Sequence, residues 1–252
     1  MCTATWWTGA DGYELFFNRD ELKSRAPGLP PKNFSLNGVR YLAPIDSTAG
    51  GTWLVVNEFG LSICLINQYP DGARNLGVLR ISRGLLVRSL ADCRDCREVK
   101  SRLARMDLIR YDAFLLIAVE ASGAACTHTW DTWNLISADE AQGAQPFTSS
   151  RHMSADVLRS RRRRFAELVK LRGGDPSPND LRAFHEYYAP ETAAHSVFMN
   201  RPDGETVSLT HVVVNHDQIV IEYAPRLPGE FRFDRATQLT LQRVDLGLSI
   251  SR

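Results

Sequence analysis

The chain opens with the residues that decide its fold, Met1-Cys2-Thr3-Ala4-Thr5-Trp6-Trp7, then the turn Gly9-Ala10-Asp11-Gly12 and the stretch Tyr13-Glu14-Leu15-Phe16-Phe17. Threonine and aromatic residues on both sides of a Gly/Asp turn predict a β-hairpin. Removal of Met1 would leave a thiol and a free α-amine on Cys2. An α-amine titrates near pH ~7.7–8.0, so it can accept a proton at neutral pH. The first strand therefore begins with a candidate nucleophile and a candidate base on one residue.

Composition limits the partners of this protein. The 252 residues are 44% hydrophobic and contain no Gly/Ser/Pro-rich linker, which predicts a single domain over residues 1–252. Thirty Lys and Arg balance 29 Asp and Glu, so we expect no nucleic-acid partner. The longest apolar run, residues 114–119, is far shorter than the ~20 residues of a membrane span. We expect no membrane span.

Cysteine and histidine usage indicates the compartment and the absence of a metal. Five cysteines, an odd number, favour free thiols in a reducing compartment, and the N-terminus has no signal-like pattern, so we expect a cytoplasmic protein. Cys93 and Cys96 have redox spacing, but they lie in a charged helical stretch without a second pair. The six histidines are scattered. We therefore expect no metal site and no cofactor.

Hydrophobic patterning predicts alternating groups of strands and helices. Residues 25–37 are polar and Pro-rich and predict a loop, while Asp92 and Ser177 are candidate helix N-caps. This order predicts two sheets stacked between helical layers. The predicted strands are 2–7, 13–17, 52–56, 61–66, 113–119, 125–130, 133–137, 196–200, 206–213, 218–223 and one from 231, and the predicted helices are 76–90, 92–106, 155–171 and 178–188.

Three short motifs resemble a known family. Asn18-Arg19-Asp20-Glu21 ends the first hairpin, and Gly50-Gly51-Thr52-Trp53-Leu54 and Leu65-Ile66-Asn67-Gln68-Tyr69 follow in order. Over residues 2–70 this pattern resembles the transport and Golgi organisation 2 family, also called the NRDE family. The resemblance implies a branch of the N-terminal nucleophile hydrolases, which include penicillin V acylases and bile salt hydrolases. It also implies their α+β fold, a four-layer αββα sandwich of two mainly antiparallel sheets flanked by helices.

The same resemblance implies catalytic roles. Cys2 would be the nucleophile, Arg19 and Asp20 its supporting pair, and Asn67 an oxyanion donor. A cation near a thiol lowers the thiol pKa, and a side-chain amide stabilises developing negative charge. Because neighbours on a strand point to opposite faces, Arg19 shares a face with Glu21, so either Asp20 or Glu21 is the supporting acid. By spacing, Asn18 and Glu21 could instead occupy the hydrolase positions of the Arg and the acid.

Four further residues are candidate ligand contacts. Trp53 is a candidate pocket wall, although its motif also fits a structural role. Ser150 and His195 stand where the resemblance would place an Asn and an Arg. Arg161 belongs to the run Arg159-Ser160-Arg161-Arg162-Arg163-Arg164. It either snorkels over the domain edge or clamps a phosphate or carboxylate of a ligand.

Two functions follow as hypotheses. The first is a Cys-nucleophile hydrolase or acyl transferase that acts on a non-peptide C–N amide or a related acyl bond through Cys2 after removal of Met1. Its partner would be a small-molecule acyl or amide substrate. The second is a non-catalytic carrier or chaperone for heme, lipid or acyl-CoA, to which the resembling family is linked. The sequence predicts no particular oligomeric state.

Overall fold

A computed structural model describes residues 2–73, 79–139, 145–151 and 154–244 of the chain. Within those ranges it contains thirteen strands and four α-helices. The strands are β1 (Cys2–Gly9), β2 (Gly12–Leu22), β3 (Leu29–Leu36), β4 (Val39–Ile45), β5 (Leu54–Asn57), β6 (Ser62–Asn67), β7 (Phe114–Val119), β8 (Ala125–Trp130), β9 (Leu135–Asp139), β10 (Phe147–Ser149), β11 (Gly204–Val214), β12 (Gln218–Pro225) and β13 (Thr237–Gln242). The helices are α1 (Arg83–Ser89), α2 (Cys96–Leu103), α3 (Ser154–Leu171) and α4 (Pro178–His185).

The strands form two stacked antiparallel sheets. The first sheet has the order β10-β1-β2-β11-β12-β13 and the second has the order β3-β4-β5-β6-β7-β8-β9. Trp6 and Leu15 of the first sheet share one buried core with Ile117 of the second. Helices α1 and α2 pack on the outer face of the second sheet, and α3 and α4 cover the first. The predicted sandwich of two antiparallel sheets between helices is confirmed.

The continuous apolar character of β2 follows from burial on both faces. Leu15 and Phe17 point into the core between the sheets. Phe16, between them in sequence, points to the opposite side and packs against Leu181 of α4. Successive side chains of a strand alternate between faces, so a strand covered on both sides loses the polar half of its pattern.

Side-chain caps mark the starts of α4 and α2. The cap of α4 is the predicted residue, and the cap of α2 is not. Ser177 begins α4 as expected, and its side chain forms a capping box with Asp180. Asp95, not Asp92, caps α2 by accepting a hydrogen bond from the Glu98 amide. Asp92 instead forms an ion pair with Arg102 of α2. The N-cap of α2 therefore lies three residues beyond the predicted position.

The predicted loop at residues 25–37 is wrong in part, because β3 pairs with β4 along most of that stretch. The prolines at positions 30 and 31 sit where the register of this pairing shifts, between Leu29 and Lys32. Strand β3 lies at the edge of its sheet. An edge strand tolerates prolines because the amide they lack has no partner strand to meet.

Other boundaries also differ. The predicted strand at 196–200 is a buried turn segment that contributes only the isolated bridge between Asn200 and Glu205. The strand expected from residue 231 is confined to β13. The helix expected at 76–90 is α1, and residues 74–78 lie outside the described part of the chain. An apolar run such as Val197-Phe198-Met199 indicates burial but does not distinguish a strand from a buried turn.

Candidate active site

Cys2 lies at the start of β1, between two neighbouring strands. Its register partners are Arg19 on β2 and Ser149 on β10. The residue is 6% exposed and belongs to the core between the sheets. It also lines a cleft of about 310 Å³ at this end of the sandwich. The pairing of β1 with β2 therefore brings the thiol beside the Asn18-Arg19-Asp20-Glu21 motif.

Six of the sequence-predicted site residues converge on this cleft: Cys2, Arg19, Asp20, Glu21, Trp53 and Asn67. A second cleft of about 470 Å³ adjoins it, with Glu21, Asn67 and Arg83 among the residues common to both. The second cleft continues past Tyr69 and Pro70. Because the two clefts adjoin and both are lined by Asn67, we refer to them together as the channel.

Arg19 is fixed by two contacts inside the cleft. Its guanidinium carbon lies 4.4 Å from the centroid of the Trp53 ring, a cation–π contact. Its Nη2 donates to Glu21 Oε2 at 3.3 Å. Trp53 is itself held by a hydrogen bond from its Nε1 to Thr210 Oγ1 at 3.3 Å. Trp53 is thus both a wall of the cleft and a support for Arg19.

Asp20 borders the cleft, but its carboxylate is fully buried elsewhere. Oδ2 accepts from Arg161 Nη2 at 3.2 Å, and Oδ1 accepts from Thr206 Oγ1 at 2.6 Å. The backbone amide of Asp20 lies near the Cys2 sulfur and acts to lower the pKa of the thiol. Asp20 therefore approaches the candidate nucleophile with its main chain, whereas Glu21 presents its carboxylate to Arg19.

The environment of Cys2 keeps its thiol protonated. Burial raises the pKa of Cys2, and the nearby Asp20 carboxylate raises it further. The Asp20 amide and Arg19 act in the opposite direction without cancelling the effect of burial. A protonated thiol is a weak nucleophile, so attack by this sulfur requires a base in contact with it.

Asn67 ends β6, opposite Phe114 of β7. Burial raises the pKa of the nearby Tyr69 hydroxyl, and the Asn67 side chain acts to lower it. Asn67 lines both clefts. A side-chain amide in this position can donate to an oxyanion in the channel.

The other predicted contacts lie outside the Cys2 cleft. Asn18 is buried on the helix side, where Nδ2 donates to the carbonyl oxygens of His185 and Val197. Ser150 accepts from Arg201 Nη1 at 3.2 Å and lines a separate cavity of about 370 Å³. His195 is half-buried in the turn that follows Pro190–Thr192.

Arg161 fits neither of its two sequence-based interpretations. Its side chain is 1% exposed, so it does not snorkel over an edge. Besides Asp20, it donates to the hydroxyls of Thr3 and Thr148 and to the carbonyl oxygen of Ser196. Its donors are directed at protein groups, and its position does not suit a ligand clamp.

Arg83 is a residue of the site that no sequence motif singled out. Arg83 begins α1 and lines both clefts. It reaches this position because Gly51 and Gly84 meet closely: a Cβ on Gly51 would lie 2.5 Å from the Gly84 carbonyl carbon. The Gly50-Gly51 motif was the available signal, since paired glycines indicate a close approach of backbone segments.

Two features are absent from the described residues. No group of three or more His, Cys, Asp or Glu residues there is arranged to hold a metal ion. No helix within the same ranges is long and apolar enough to cross a bilayer.

The fold is shared with solved structures of an acid amidase, a bile acid hydrolase and a penicillin acylase. An N-acylethanolamine-hydrolyzing acid amidase ortholog from Caenorhabditis elegans matches 96% of this chain and 100% of its own length, with a TM-score of 0.59 and 12% identity. A mutant conjugated bile acid hydrolase from Clostridium perfringens matches over 95% and 92%, with a TM-score of 0.56 and 11% identity. Penicillin V acylase from Agrobacterium tumefaciens matches over 95% and 91%, with a TM-score of 0.55 and 12% identity.

At 11–12% identity these likenesses show that the chain shares the fold of these three proteins. No curated protein sequence matches this chain. Residues 1–176 match the transport and Golgi organisation 2 family, and the chain belongs to that family. The match includes Cys2, the Asn18-Arg19-Asp20-Glu21 motif and Asn67.

Proposed function

We propose that Cys2, once Met1 is removed, is the nucleophile of an amidohydrolase or acyl transferase that acts on a non-peptide C–N or related acyl bond. One observation supports this most directly. The thiol, an arginine–carboxylate pair and a side-chain amide, namely Cys2, Arg19 with Glu21, and Asn67, line a single cleft. These are the groups that acyl transfer through a thioester requires.

The proposed reaction has two halves. The Cys2 sulfur attacks the carbonyl carbon of the substrate while its proton passes to the Cys2 α-amine. The carbonyl oxygen becomes an oxyanion that accepts hydrogen bonds from Asn67 and nearby backbone amides. Collapse breaks the C–N bond, and the α-ammonium returns the proton to the leaving amine. Water, or an acceptor amine or alcohol, then attacks the thioester and restores the thiol.

The raised pKa of Cys2 explains why the base must be adjacent. A free α-amine on the same residue has a pKa of ~7.7–8.0 and needs no further residue to position it. With Met1 present that nitrogen is an amide, which cannot accept the proton. Processing of the N-terminus is therefore part of the proposed mechanism.

The contacts of the two acids support different roles for them. The Asp20 carboxylate is already held by Arg161 and Thr206. Glu21 is 21% exposed, faces the cleft and contacts Arg19. We assign Glu21 and Arg19 to the electrostatic support of the reacting groups. We assign the buried Asp20 carboxylate a positioning role: it fixes this residue so that the Asp20 amide lies beside the sulfur.

The dimensions of the site favour a small-molecule substrate, since joined clefts of about 310 and 470 Å³ lie in the range of ligand pockets. The neighbouring cavity at Ser150 shares Tyr69 and Pro70 with the channel and includes Trp130 and Leu158. It is suited to the apolar part of an acyl group. The five cysteines are all free, which supports the proposed cytoplasmic location.

An acyl-transfer assay tests the proposal. Protein whose intact mass shows loss of Met1 is incubated with N-dodecanoyl-7-amino-4-methylcoumarin. We expect coumarin release and a transient mass increase of one dodecanoyl group on Cys2. Cys2→Ala should show neither, whereas the matched control Cys96→Ser, which removes another thiol, should show both.

The carrier alternative predicts a different result. If the cleft only carries heme, lipid or acyl-CoA, Met1-free protein releases no coumarin from this substrate and forms no thioester. Cys2→Ala would then bind these ligands as tightly as the wild-type chain. Turnover that survives Cys2→Ala would contradict the proposed role of the thiol.

A further inference from the structure

We propose that the ligand of the Cys2 cleft carries an anionic group, a carboxylate or a phosphate, which Arg83 binds. The inference deepens the proposed function and rests on it in taking this cleft as the substrate site. It names the substrate class as acyl compounds with a negative charge near the scissile bond.

The described lining of the channel carries more positive than negative charge. The carboxylate of Asp20 is neutralised from the helix side by Arg161, so it does not compensate the arginines of the channel. Among the described residues that line the channel, this leaves four carboxylates for six guanidinium groups. The described arginines are Arg19, Arg25, Arg80, Arg83, Arg151 and Arg201, and the described acids are Glu21, Asp46, Asp112 and Asp203.

The second step is the pairing of these groups. Each of the four carboxylates already has a guanidinium partner within 3.4 Å. Among the described residues, no carboxylate lies within 4.0 Å of Arg83 or Arg151. The ion pairs are Arg19–Glu21 at 3.3 Å, Arg25–Asp46 at 2.5 Å, Arg80–Asp112 at 3.4 Å and Arg201–Asp203 at 3.2 Å.

The third step is the geometry of Arg83. Its Nη1 donates to the Ala113 carbonyl oxygen at 2.8 Å, which anchors one corner of the guanidinium. No described residue accepts a hydrogen bond from Nε or Nη2 of Arg83. The N–H groups on these two nitrogens can therefore donate together to a carboxylate or a phosphate. Arg151, which is exposed, lies at the outer cleft and adds charge without an anchor.

The surroundings of Arg83 also favour an anion. Burial lowers the pKa of Arg83, which means that its charge is poorly solvated where it lies. Tyr69, Asp112, Cys2 and Glu21 are within electrostatic range of the guanidinium, but both carboxylates are already paired with other arginines. A bound anion would compensate this charge close to the reacting sulfur, with the oxyanion donor Asn67 on the same channel.

Three ligands of one chain length separate the possibilities: N-dodecanoylglycine carries a carboxylate, N-dodecanoylethanolamine is neutral, and its O-phosphate ester carries a phosphate. Calorimetric titration uses the full chain with Cys2→Ala, so that binding is measured without turnover. We expect at least one anionic ligand to bind tenfold or more tightly than the neutral one, as a charge-assisted bidentate contact implies.

Variants locate the anion. In the same background, Arg83→Gln should reduce the anionic advantage below threefold, and Arg83→Lys should retain an intermediate advantage. Arg97→Gln is the matched control, because Arg97 is an exposed arginine of α2 paired with Asp95 outside the channel. It removes the same net charge and should leave the advantage unchanged. Circular dichroism checks that each variant is folded.

Several outcomes would overturn the inference. Equal or tighter binding of the neutral ligand, failure of all three ligands to bind, or an anionic advantage that survives Arg83→Gln would each do so. If Arg83→Gln is unfolded, undiminished advantage in Arg83→Lys would count against it. Preference for carboxylate or for phosphate identifies the source of the charge. Since no step requires catalysis, failure of the proposed hydrolysis leaves this test independent.

Discussion

The two faces of β2 serve different purposes over four consecutive residues. On the face between the sheets, Arg19 and Glu21 border the cleft of Cys2. On the helix side, Asn18 and the Asp20 carboxylate are fully buried in contact with groups beyond the sheet. Because side chains alternate along a strand, one short motif can supply both a reactive surface and an anchor for the covering helices.

The helix face is a network in which polar groups satisfy one another. Asn18 Oδ1 and His185 Nδ1 are 3.0 Å apart, and the other ring nitrogen of His185 is 2.9 Å from Thr5 Oγ1. Arg161 and Asp20 complete the network. Fully satisfied buried networks hold one arrangement firmly, and loss of a member leaves a partner desolvated and unpaired.

On the cleft face fewer polar groups have hydrogen-bond partners. The Cys2 thiol is protonated, and the N–H groups of Arg83 point into the open cleft. Changes on this face should alter chemistry with small effects on stability. Changes on the helix face should mainly alter stability. Residues that are neighbours in sequence should therefore respond differently to substitution: those on the cleft face mainly in activity, those on the helix face mainly in stability.

The largest expected effect is on the cleft face. Cys2→Ala should lower kcat/KM for an acyl amide by about 10³-fold or more, because the covalent route is lost. The thiol makes only a small contribution to packing, so the thermal midpoint should change little. Activity and thermal unfolding are measured on the same Met1-free preparations. A large fall in the thermal midpoint would show that Cys2 belongs to the stabilising side of the comparison.

The next effect is on the helix face. Arg161→Ala removes the guanidinium that pairs with the buried Asp20 carboxylate, which should reduce the free energy of unfolding by about 3–5 kcal/mol. Urea unfolding measures this change. Arg163→Ala is the control, since Arg163 is 84% exposed and pairs with Glu167 on the surface. Its effect should stay within about 0.5 kcal/mol, and equal effects of the two variants would refute the special role of Arg161.

A third prediction concerns pH. Burial, with Arg161, His211 and Arg182 nearby, lowers the pKa of His185 to about 3. In the unfolded chain His titrates near ~6.5, so between these values the unfolded state binds the extra proton. Stability should therefore fall as pH falls from about 6.5 towards 3.

The acid dependence of stability can be measured. Between pH 7 and 4.5, His185 should account for a loss of about 2.5 kcal/mol in the free energy of unfolding. His185→Gln should be less stable at pH 7 but show a correspondingly smaller loss on acidification, as followed by urea unfolding at the two pH values. An unchanged loss would mean that other groups control acid stability.

The smallest effect distinguishes the two acids. Glu21→Gln should lower kcat/KM by roughly tenfold, about 1.4 kcal/mol of transition-state stabilisation, with little change in stability. Asp20→Asn should instead destabilise the fold, because it weakens the buried pair with Arg161. Steady-state kinetics and urea unfolding of both variants test this. The reverse pattern would exchange the roles assigned to the two carboxylates.

Local sequence was sufficient for much of the fold. The hairpins of β1 with β2 and of β5 with β6, strand β7, and the Ser177 cap of α4 all follow from period, turn residues and capping. The edge strand β3 was missed because its prolines indicate a loop by themselves. They are tolerated only because one side of that strand has no partner.

The sequence by itself determined that Cys2 would start a strand, that the Asn18-Arg19-Asp20-Glu21 motif would follow one hairpin later, and that Arg19 would share a face with Glu21. Tertiary structure alone decided which face meets the cleft. Asp20 is held by Arg161, 141 residues away, and Arg83 reaches the channel through the contact of Gly51 with Gly84. The physical reason is that strand periodicity fixes relative orientation, whereas the partners of each face come from distant segments that only packing brings together.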